Sequence, residues 1–389
     1  MTTFVQLHLL TFVPPANLNR DDTGAPKTAI VGGDIRLRLS SQSLKRAWRT
    51  SDVFAKRVGG RGALGIRTAR IGEIARKGLI DRGIETASAL AIAKTLSAIF
   101  GKPDTKPRDG EERALTSQLA FVAPDEIVAL EMMLDNLAAD ASFRNELSSV
   151  AGEIEDEDGL EEGGTKKKKK GLSKKRLNEL RSRILVTSAT AVDIAMFGRM
   201  FADSPLFNRE AAVQVAHALT THRVEIEDDF YTAVDDLNTR DENVGAGFVG
   251  EAGFGSGVFY LYLCIDTDLL TANLGGDRDL ARAAVAALVE AAATVAPNGK
   301  QASFASRVRA SYVLAEKGTD QPRTLAAAFV PSVKPGNALA ESIDRLTNLR
   351  AGFAAAYGPG DTTAIAMNVT DPATKSLADV VAFACDWGA

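Results

Sequence analysis

Cysteine and histidine are scarce in this chain of 389 residues. The sequence has two cysteines, Cys264 and Cys385, and three histidines, His8, His217 and His222. Two cysteines are too few for a disulfide framework, and their separation does not match that of metal ligands. His217 and His222 are five residues apart, so on a strand they face opposite sides and do not form a zinc pair. We therefore interpret the histidines as structural and expect no metal and no cofactor.

Long apolar runs and common catalytic motifs are also missing. No apolar run reaches the ~18 residues that span a bilayer, and the N-terminal segment MTTFVQLHLLTF lacks the basic region and cleavage site of a signal peptide. These absences predict a cytoplasmic protein. The motifs G-x-x-x-x-G-K-[ST], G-x-S-x-G and H-E-x-x-H do not occur either. The sequence therefore gives no sign of a P-loop NTPase, an α/β-hydrolase or a zinc protease.

Positive charge is concentrated in one segment, although the chain as a whole is acidic. Residues 31–70 contain ten basic and two acidic side chains, which gives this segment a net charge of +8 in a chain of net charge −4. A polyanionic partner requires a local positive surface and not a basic average. The alternative is a solvated basic surface without a partner. The distribution of these charges distinguishes the two.

The stretch IRLRLSSQSLKRAWR, residues 35–49, predicts a strand followed by a helix. Alternation places Ile35, Leu37 and Leu39 on one strand face and two arginines, Arg36 and Arg38, on the other. Ser40 or Ser41 caps the helix, whose one face is basic and polar and whose other face is apolar with a tryptophan. A helix N-terminus adds free backbone N–H groups. This unit predicts a phosphate-binding surface for a nucleic-acid backbone.

The remaining pattern predicts a mixed α+β chain. Residues 84–150 have helical character, and residues 152–176 form a charged low-complexity insertion that we expect to be flexible. TAVDIAMFGRMF, AAVQVAHALTTHRV, VFYLYLCID and RASYVLAE are interpreted as strands. A Gly-rich span between two of these strands is too long for a turn and indicates a protruding hairpin. Strands and helices in this order are compatible with a ferredoxin-like core.

Several collinear segments resemble one known family. NLNRDD (residues 17–22), SSQSLKRA (40–47), VDIAMFGRM (192–200), AHALTTH (216–222), FYTAVDDL (230–237), SGVFYLY (256–262) and NLGG (273–276) occur in the family's order. The chain resembles the CasC family, the backbone subunit of the type I-E CRISPR Cascade complex. The match is dense over residues 1–50 and 190–276 and faint over about 60–185, and Lys300–Gln301 is the main later similarity.

The resemblance implies an RRM-like or ferredoxin-like palm with helical fingers and a β-hairpin thumb. The palm would comprise residues 1–59 and 186–389, the thumb about 222–257, and the fingers 60–185, including the charged insertion. The implied function is that of a non-catalytic subunit that polymerises head to tail along the CRISPR RNA in antiviral defence. The implied partners are the CRISPR RNA, target DNA through the guide, further copies of the chain, the small and large subunits, the guide-processing endoribonuclease and the subunit at the five-prime end.

The strand-and-helix pattern and the resemblance together assign roles to individual residues. The predicted contacts to the RNA backbone are Arg20, Lys27, Arg36, Arg38, Ser40, Gln42, Lys45, Arg46, Arg49 and Lys300. The predicted wedge, which displaces one nucleotide at a regular interval, consists of Met200, Phe230, Tyr231 and Val234. For these apolar residues, ordinary core packing is the alternative.

Two other functions remain open. Type III relatives cut RNA with a loop aspartate, and Asp22 lies in a corresponding kind of loop, so a metal-dependent endoribonuclease is one alternative. The aspartate pairs Asp21–Asp22 and Asp235–Asp236 could ligate a divalent metal, although adjacent loop aspartates are more often turn residues. The other alternative is a general single-stranded RNA-binding protein without periodic contacts.

Overall fold

A computed structural model describes residues 2–104, 106, 110–150, 171–185, 191–201, 205–233, 248–334 and 336–388. The chain forms two compact units. The larger unit comprises residues 1–59, 212–271 and 278–389, and the smaller unit comprises residues 60–211 and 272–277. The predicted boundary between fingers and palm, at residue 186, lies earlier in the chain than the end of the smaller unit's main segment at residue 211. None of the described helices has the length and apolar character that a membrane span requires.

The strands are short apart from β1 and β11. In chain order they are β1 Phe4–Ala16, β2 Thr28–Val31, β3 Asp34–Leu39, β4 Ile66–Thr68, β5 Pro103–Asp104, β6 Leu115–Thr116, β7 Ala120–Val122, β8 Val213–Val215, β9 Ala218–Thr220, β10 Glu227–Ala233, β11 Phe248–Asp266, β12 Tyr312–Gly318 and β13 Thr363–Asn368.

The helices occur in both units. In chain order they are α1 Ser41–Arg49, α2 Asp52–Arg57, α3 Ile71–Asp81, α4 Thr86–Phe100, α5 Pro124–Ala139, α6 Ala141–Val150, α7 Lys174–Ile184, α8 Val192–Phe197, α9 Thr267–Asn273, α10 Arg278–Thr294, α11 Gln301–Phe304, α12 Ala338–Tyr357 and α13 Leu377–Cys385.

One antiparallel sheet organises the larger unit. Its strand order is β13-β12-β1-β11-β9-β3-β2, and β8 and β10 also pair with β11. The central strand β1 pairs with β11 and β12, which places His8 opposite Tyr262 on one side and Leu314 on the other. Residues Val5–Leu10 are buried, as the continuous apolar run of this segment predicted. Together with the helices, this sheet confirms the predicted α+β class.

Helices cover both faces of the sheet. On one face, Leu346 of α12 packs in a core with Leu10, Tyr260 and Leu314. On the other face, the indole Nε1 of Trp48 in α1 donates to the carbonyl of Val295, just after α10, at 3.2 Å. Because consecutive residues of a strand face opposite sides, β1 contributes to both cores. The buried tryptophan of α1 therefore ties this helix to the end of α10.

A buried ionic cluster lies under α12. The carboxylate of Glu316 accepts from His8 at 3.2 Å, from both terminal nitrogens of Arg323 at 3.1 Å and from Arg350 Nε at 2.7 Å. Burial alone would raise the pKa of this carboxyl, but these hydrogen bonds outweigh it and lower the pKa to about 2. Burial lowers the pKa of His8, whose other ring nitrogen bonds the Tyr260 hydroxyl at 2.9 Å. The Glu316 carboxylate is thus ionised within the core and is paired with the two arginines.

The smaller unit has a core of its own, built mainly by helices α3 to α7. Ile92, Leu96 and Leu134 are among its buried residues. A second buried ion pair joins Arg199 to Glu126, with Nη1 at 2.7 Å from the carboxylate oxygens. This pair fixes the backbone next to Met200, which the family resemblance assigns to the wedge.

Two sequence predictions are wrong in this unit. VDIAMF, residues 192–197, forms helix α8 and not a strand, and the helix ends at Gly198, whose φ is 78°. A Cβ at position 198 would lie 2.9 Å from the carbonyl oxygen of Arg209, so glycine is required there. The predicted flexible insertion 152–176 also ends earlier than expected. Residues 174–176 begin helix α7, capped by Ser173, while residues 151–170 lie outside the described part of the chain.

Candidate nucleic-acid interface

The loop of residues 17–27 is held against the sheet by its own polar side chains. The Asn17 amide donates to the carbonyls of Gly24 at 3.0 Å and Gly253 at 2.8 Å. Asp21 Oδ1 accepts from the Thr23 hydroxyl at 2.7 Å and the Ala25 amide at 3.0 Å, and the Thr23 hydrogen bond holds the pKa of Asp21 below its ordinary value. Asp21 is therefore a turn-forming residue. The loop exposes Arg20, one of the predicted RNA contacts.

Three cations of the larger unit lie around one histidine. Arg38 Nη1 is 3.0 Å from His217 Nδ1. Burial lowers the pKa of His217, and the positive charges of Arg38, Lys27 and Lys45 lower it further. The ring is therefore neutral and accepts a hydrogen bond from Arg38. We call Lys27, Arg38 and Lys45 the cationic cluster, since the positive charge of each lowers the pKa of His217.

Backbone pairing explains how the cluster forms. The Lys27 amide donates to the Asn19 carbonyl at 2.9 Å, and the Arg38 amide donates to the Lys27 carbonyl at 2.8 Å. The Ser40 amide donates to Asn19 Oδ1 at 2.8 Å. One loop, strand β3 and the start of α1 are thereby tied together. The NLNRDD segment acts here through Asn19, whose side chain bonds to the backbone at the helix cap.

Helix α1 has the predicted amphipathic arrangement. Ser40 is its N-cap and accepts from the Ser43 amide at 3.3 Å, and Leu44 and Trp48 are buried. Its first turn carries no acidic residue, and its last turn contains two arginines. The predicted RNA-contacting side chains on its other face are exposed or half-buried, and they are Gln42, Lys45, Arg46 and Arg49. The helix therefore extends the cationic cluster with further positive charge, beginning at a positive dipole end.

Arg36 does not belong to this surface, and the predicted alternation of β3 is wrong at this position. Its side chain is 0% exposed and donates to the carbonyls of Thr220 and Phe329 and to the Ser332 hydroxyl, each at 3.1 Å. Ile35 is instead 49% exposed. A guanidinium has five N–H donors that buried carbonyls can satisfy. Arg36 is therefore a structural arginine, and its predicted RNA contact is corrected.

Lys300 lies beside the 17–27 loop. Its φ of 51° is left-handed, and the adjacent Gly299 packs so closely that a Cβ there would be 2.4 Å from the Leu18 carbonyl oxygen. The Gln301 amide donates to the Ser306 carbonyl at 3.1 Å, which closes this turn. The weak Lys–Gln similarity thus marks a tight turn that brings a lysine next to the loop of Arg20 and Lys27.

The predicted thumb begins as an antiparallel hairpin. Strand β10 pairs with the first part of β11, so that Phe230 lies opposite Glu251 and Tyr231 opposite Gly250. All β10 side chains are exposed, including Phe230 at 69%. These aromatic side chains are therefore not core residues of the described chain. Val234, the fourth predicted wedge residue, lies outside the described residues.

Met200 belongs to the smaller unit and is 81% exposed. Its backbone is held in place because Arg199 and Arg209 exchange amide-to-carbonyl hydrogen bonds of 3.0 and 2.8 Å. An exposed thioether on a fixed backbone is consistent with a contact to another molecule and contradicts core packing. The other predicted wedge residues in the described part of the chain, Phe230 and Tyr231, belong to the larger unit.

Sequence reasoning missed the contact between His217 and Arg38. The histidine was interpreted as a structural residue, yet it bonds the Arg38 guanidinium and so orients one of the cations. The sequence offers no local signal for this contact, because the two residues are 179 positions apart. Asp22 is exposed, and no group of three or more potential metal ligands occurs among the described residues.

The chain is similar to a known protein family and to chains of solved structures. A family model described as CT1975-like protein matches residues 5–383. A chain of the structure solved as "CRISPR RNA-guided surveillance complex, pre-nicking" is 28% identical, with a TM-score of 0.80, and the alignment covers 98% of this chain and 99% of that chain. A chain of a "CRISPR RNA-guided surveillance complex" shares the fold at 24% identity, with a TM-score of 0.66 and the same coverage. The search of curated proteins found no match.

Proposed function

The chain belongs to the CT1975-like protein family, and from this premise we propose that it is a non-catalytic backbone subunit that binds CRISPR RNA in a type I-E Cascade complex. The cationic cluster beside the N-terminus of α1 carries the proposal, because several positive charges and the positive end of the helix dipole then act on the same bound phosphates. The relative at 28% identity, which is a chain of an RNA-guided surveillance complex, supports the same role.

In this proposal the protein holds the RNA by its phosphates and leaves the bases to read the target. Lys27, Arg38, Lys45 and Arg49 supply contacts to phosphate, which fix position but carry no sequence information. Sequence recognition is delegated to base pairing between guide and target DNA. A surface without base-edge contacts suits this task, because one protein must accept guides of any sequence.

We propose that Met200 of the smaller unit, Phe230 and Tyr231 of the larger unit, and Val234 each act as wedge residues. Apolar and aromatic side chains can insert between bases, and each stacking contact contributes about 1–3 kcal/mol. A wedge that displaces one nucleotide per subunit divides the guide into short segments. The target strand can then pair with each segment without winding fully around the guide.

Head-to-tail assembly completes the proposal. The larger unit would be an RRM-like palm, the β10–β11 hairpin its thumb, and the smaller unit the fingers. Heterologous contacts between copies can generate an open filament along one RNA. After the first copy has bound, contacts by neighbouring copies are effectively intramolecular. Weak binding of each copy to the RNA is therefore sufficient for a stable complex. Other Cascade subunits, including the guide-processing endoribonuclease, would bind at its ends and sides.

Charge reversal on α1 tests the proposal. We expect Lys45→Glu combined with Arg49→Glu to abolish RNA that copurifies when the chain is coexpressed with a CRISPR array and its processing enzyme. The matched control is Lys334→Glu with Lys375→Glu, two exposed lysines of the larger unit outside this surface. Unchanged RNA occupancy in a folded α1 variant would contradict the phosphate-binding assignment. Metal-dependent cleavage of the RNA that Asp22→Ala removes would instead establish the endoribonuclease alternative.

A further inference from the structure

A cavity of about 180 Å³ opens beside Met200 in the smaller unit. The residues that line it include Phe100, Phe121 and Phe201, together with Leu119. Pockets that bind drug-sized ligands have volumes of about 300–1,000 Å³. This cavity is therefore too small for such a ligand, and its size and its phenylalanines suit a single planar ring system.

The polar lining of the cavity is positive and rich in hydrogen-bonding groups. Lys102, Ser117 and Gln118 line it together with the buried Arg181, and none of its described lining residues is acidic. Within the described part of the chain, the side chains of Lys102, Ser117 and Gln118 have no hydrogen-bond partner. An ammonium, a hydroxyl and an amide thus remain available to a ligand with oxygen and nitrogen acceptors.

The backbone around the cavity is fixed before any ligand binds. The Ser117 amide donates to the Lys102 carbonyl at 2.8 Å, and the Thr116 hydroxyl donates to the Gln118 carbonyl at 2.6 Å. Arg181 donates to the carbonyls of Ala98 and Ile99, the last turn of α4, at 3.1 and 3.3 Å. A preformed site of this kind loses little entropy on binding.

We propose that this cavity receives the nucleobase that Met200 displaces from the bound RNA, an inference that rests on the function proposed above. Three observations favour a base as the occupant. The exposed Met200 lines the cavity, three phenylalanines, a residue type on which any base can stack, line it as well, and its polar lining is positive. An aromatic side chain from another copy of the chain would use the phenylalanines but leave the Lys102 and Gln118 groups without acceptors.

The cavity tolerates different bases for a chemical reason. The Gln118 amide carries both a donor and an acceptor and can rotate to match either kind of base edge. Aromatic stacking is likewise insensitive to base identity. A guide of any sequence can therefore place its displaced nucleotide in the same cavity, which is necessary if displacement recurs along the whole guide.

Chemical probing of the assembled complex with dimethyl sulfate tests the cavity. The guide carries adenines at the displaced positions, and methylation at adenine N1 reports access from solvent. The test variant is Ser117→Trp, which fills the cavity from an exposed position, and the matched control is Met132→Trp on an exposed site of α5 in the same unit. A stacking contact of about 1–3 kcal/mol corresponds to a roughly five- to 150-fold preference of the displaced base for the cavity over solvent.

We expect the displaced adenines to be at least about fivefold more reactive in the Ser117→Trp complex than in the wild type, while Met132→Trp matches the wild type. Displaced adenines that are fully reactive in the wild type would overturn the cavity assignment and leave the proposed function intact. Guide RNA that is bound without any displaced nucleotide would overturn both. An assembled Ser117→Trp complex whose displaced adenines are no more reactive than those of the wild type would also overturn the inference.

Discussion

The salt dependence of RNA binding measures how many phosphates the α1 surface neutralises. For single strands, each neutralised phosphate contributes about 0.7 to the slope of log affinity against log salt concentration. If Lys27, Arg38, Lys45 and Arg49 each contact one phosphate, the slope has a magnitude of about 2.8. Affinity then falls roughly 50-fold when salt rises from about 50 to about 200 mM.

Neutralising two of these cations has a calculable effect. Lys45→Ala combined with Arg49→Ala halves the slope to about 1.4, so the same increase in salt weakens binding only about sevenfold. Fluorescence anisotropy of a labelled guide segment at several salt concentrations gives both slopes. The control is Lys334→Ala with Lys375→Ala, which leaves the slope unchanged. Equal slopes in the wild type and the α1 variant would refute the reasoning. Weaker binding at every salt concentration with an unchanged slope would indicate lost packing of the long side chains.

Two further predictions concern the core and the wedge. Glu316→Ala leaves Arg323 and Arg350 without their buried partner, so we expect the free energy of unfolding to fall by about 3–5 kcal/mol. Urea unfolding followed by tryptophan fluorescence measures this change. An unchanged urea midpoint would contradict the prediction. Because the pKa of Glu316 is lowered to about 2, its contribution is complete above about pH 4.5 and is lost as pH falls towards 2, so the difference between variant and wild type narrows in that range. Met200→Ala disturbs the regular spacing of displaced nucleotides more than it lowers affinity, whereas the control Met132→Ala changes neither; continuous, undisplaced RNA in the wild type would contradict this assignment.

Local patterns predicted the central part of the interface well. Helix α1, its Ser40 cap and its division into a basic face and a face containing Trp48 follow from residues within one strand-and-helix unit. Periodicity and capping act over a few residues, so the sequence contains all the information that they need. Strands of the sheet core were recognisable for the same reason.

Contacts between distant segments account for what sequence reasoning missed. Arg36 looked like an exposed strand arginine, but carbonyls from near residues 220 and 329 bury it, and these residues are far away in sequence. Helix α8 looked like a strand because a short apolar run with β-branched residues suits either structure. The cavity beside Met200 is built from residues near positions 100, 120, 181 and 200, which no local pattern connects.

The most direct test of the central claim is a nucleotide-resolution protection map of the RNA bound in vivo. The chain is coexpressed with a CRISPR array, its processing enzyme and the partner subunits. The RNA backbone is then cleaved chemically while the RNA is still bound in the complex, and the RNA fragments are extracted and mapped. We expect protection of the sugar–phosphate backbone to repeat at a constant interval, with one displaced nucleotide in each repeat. Uniform protection without a period, or a purified complex that contains no guide RNA, would contradict the account.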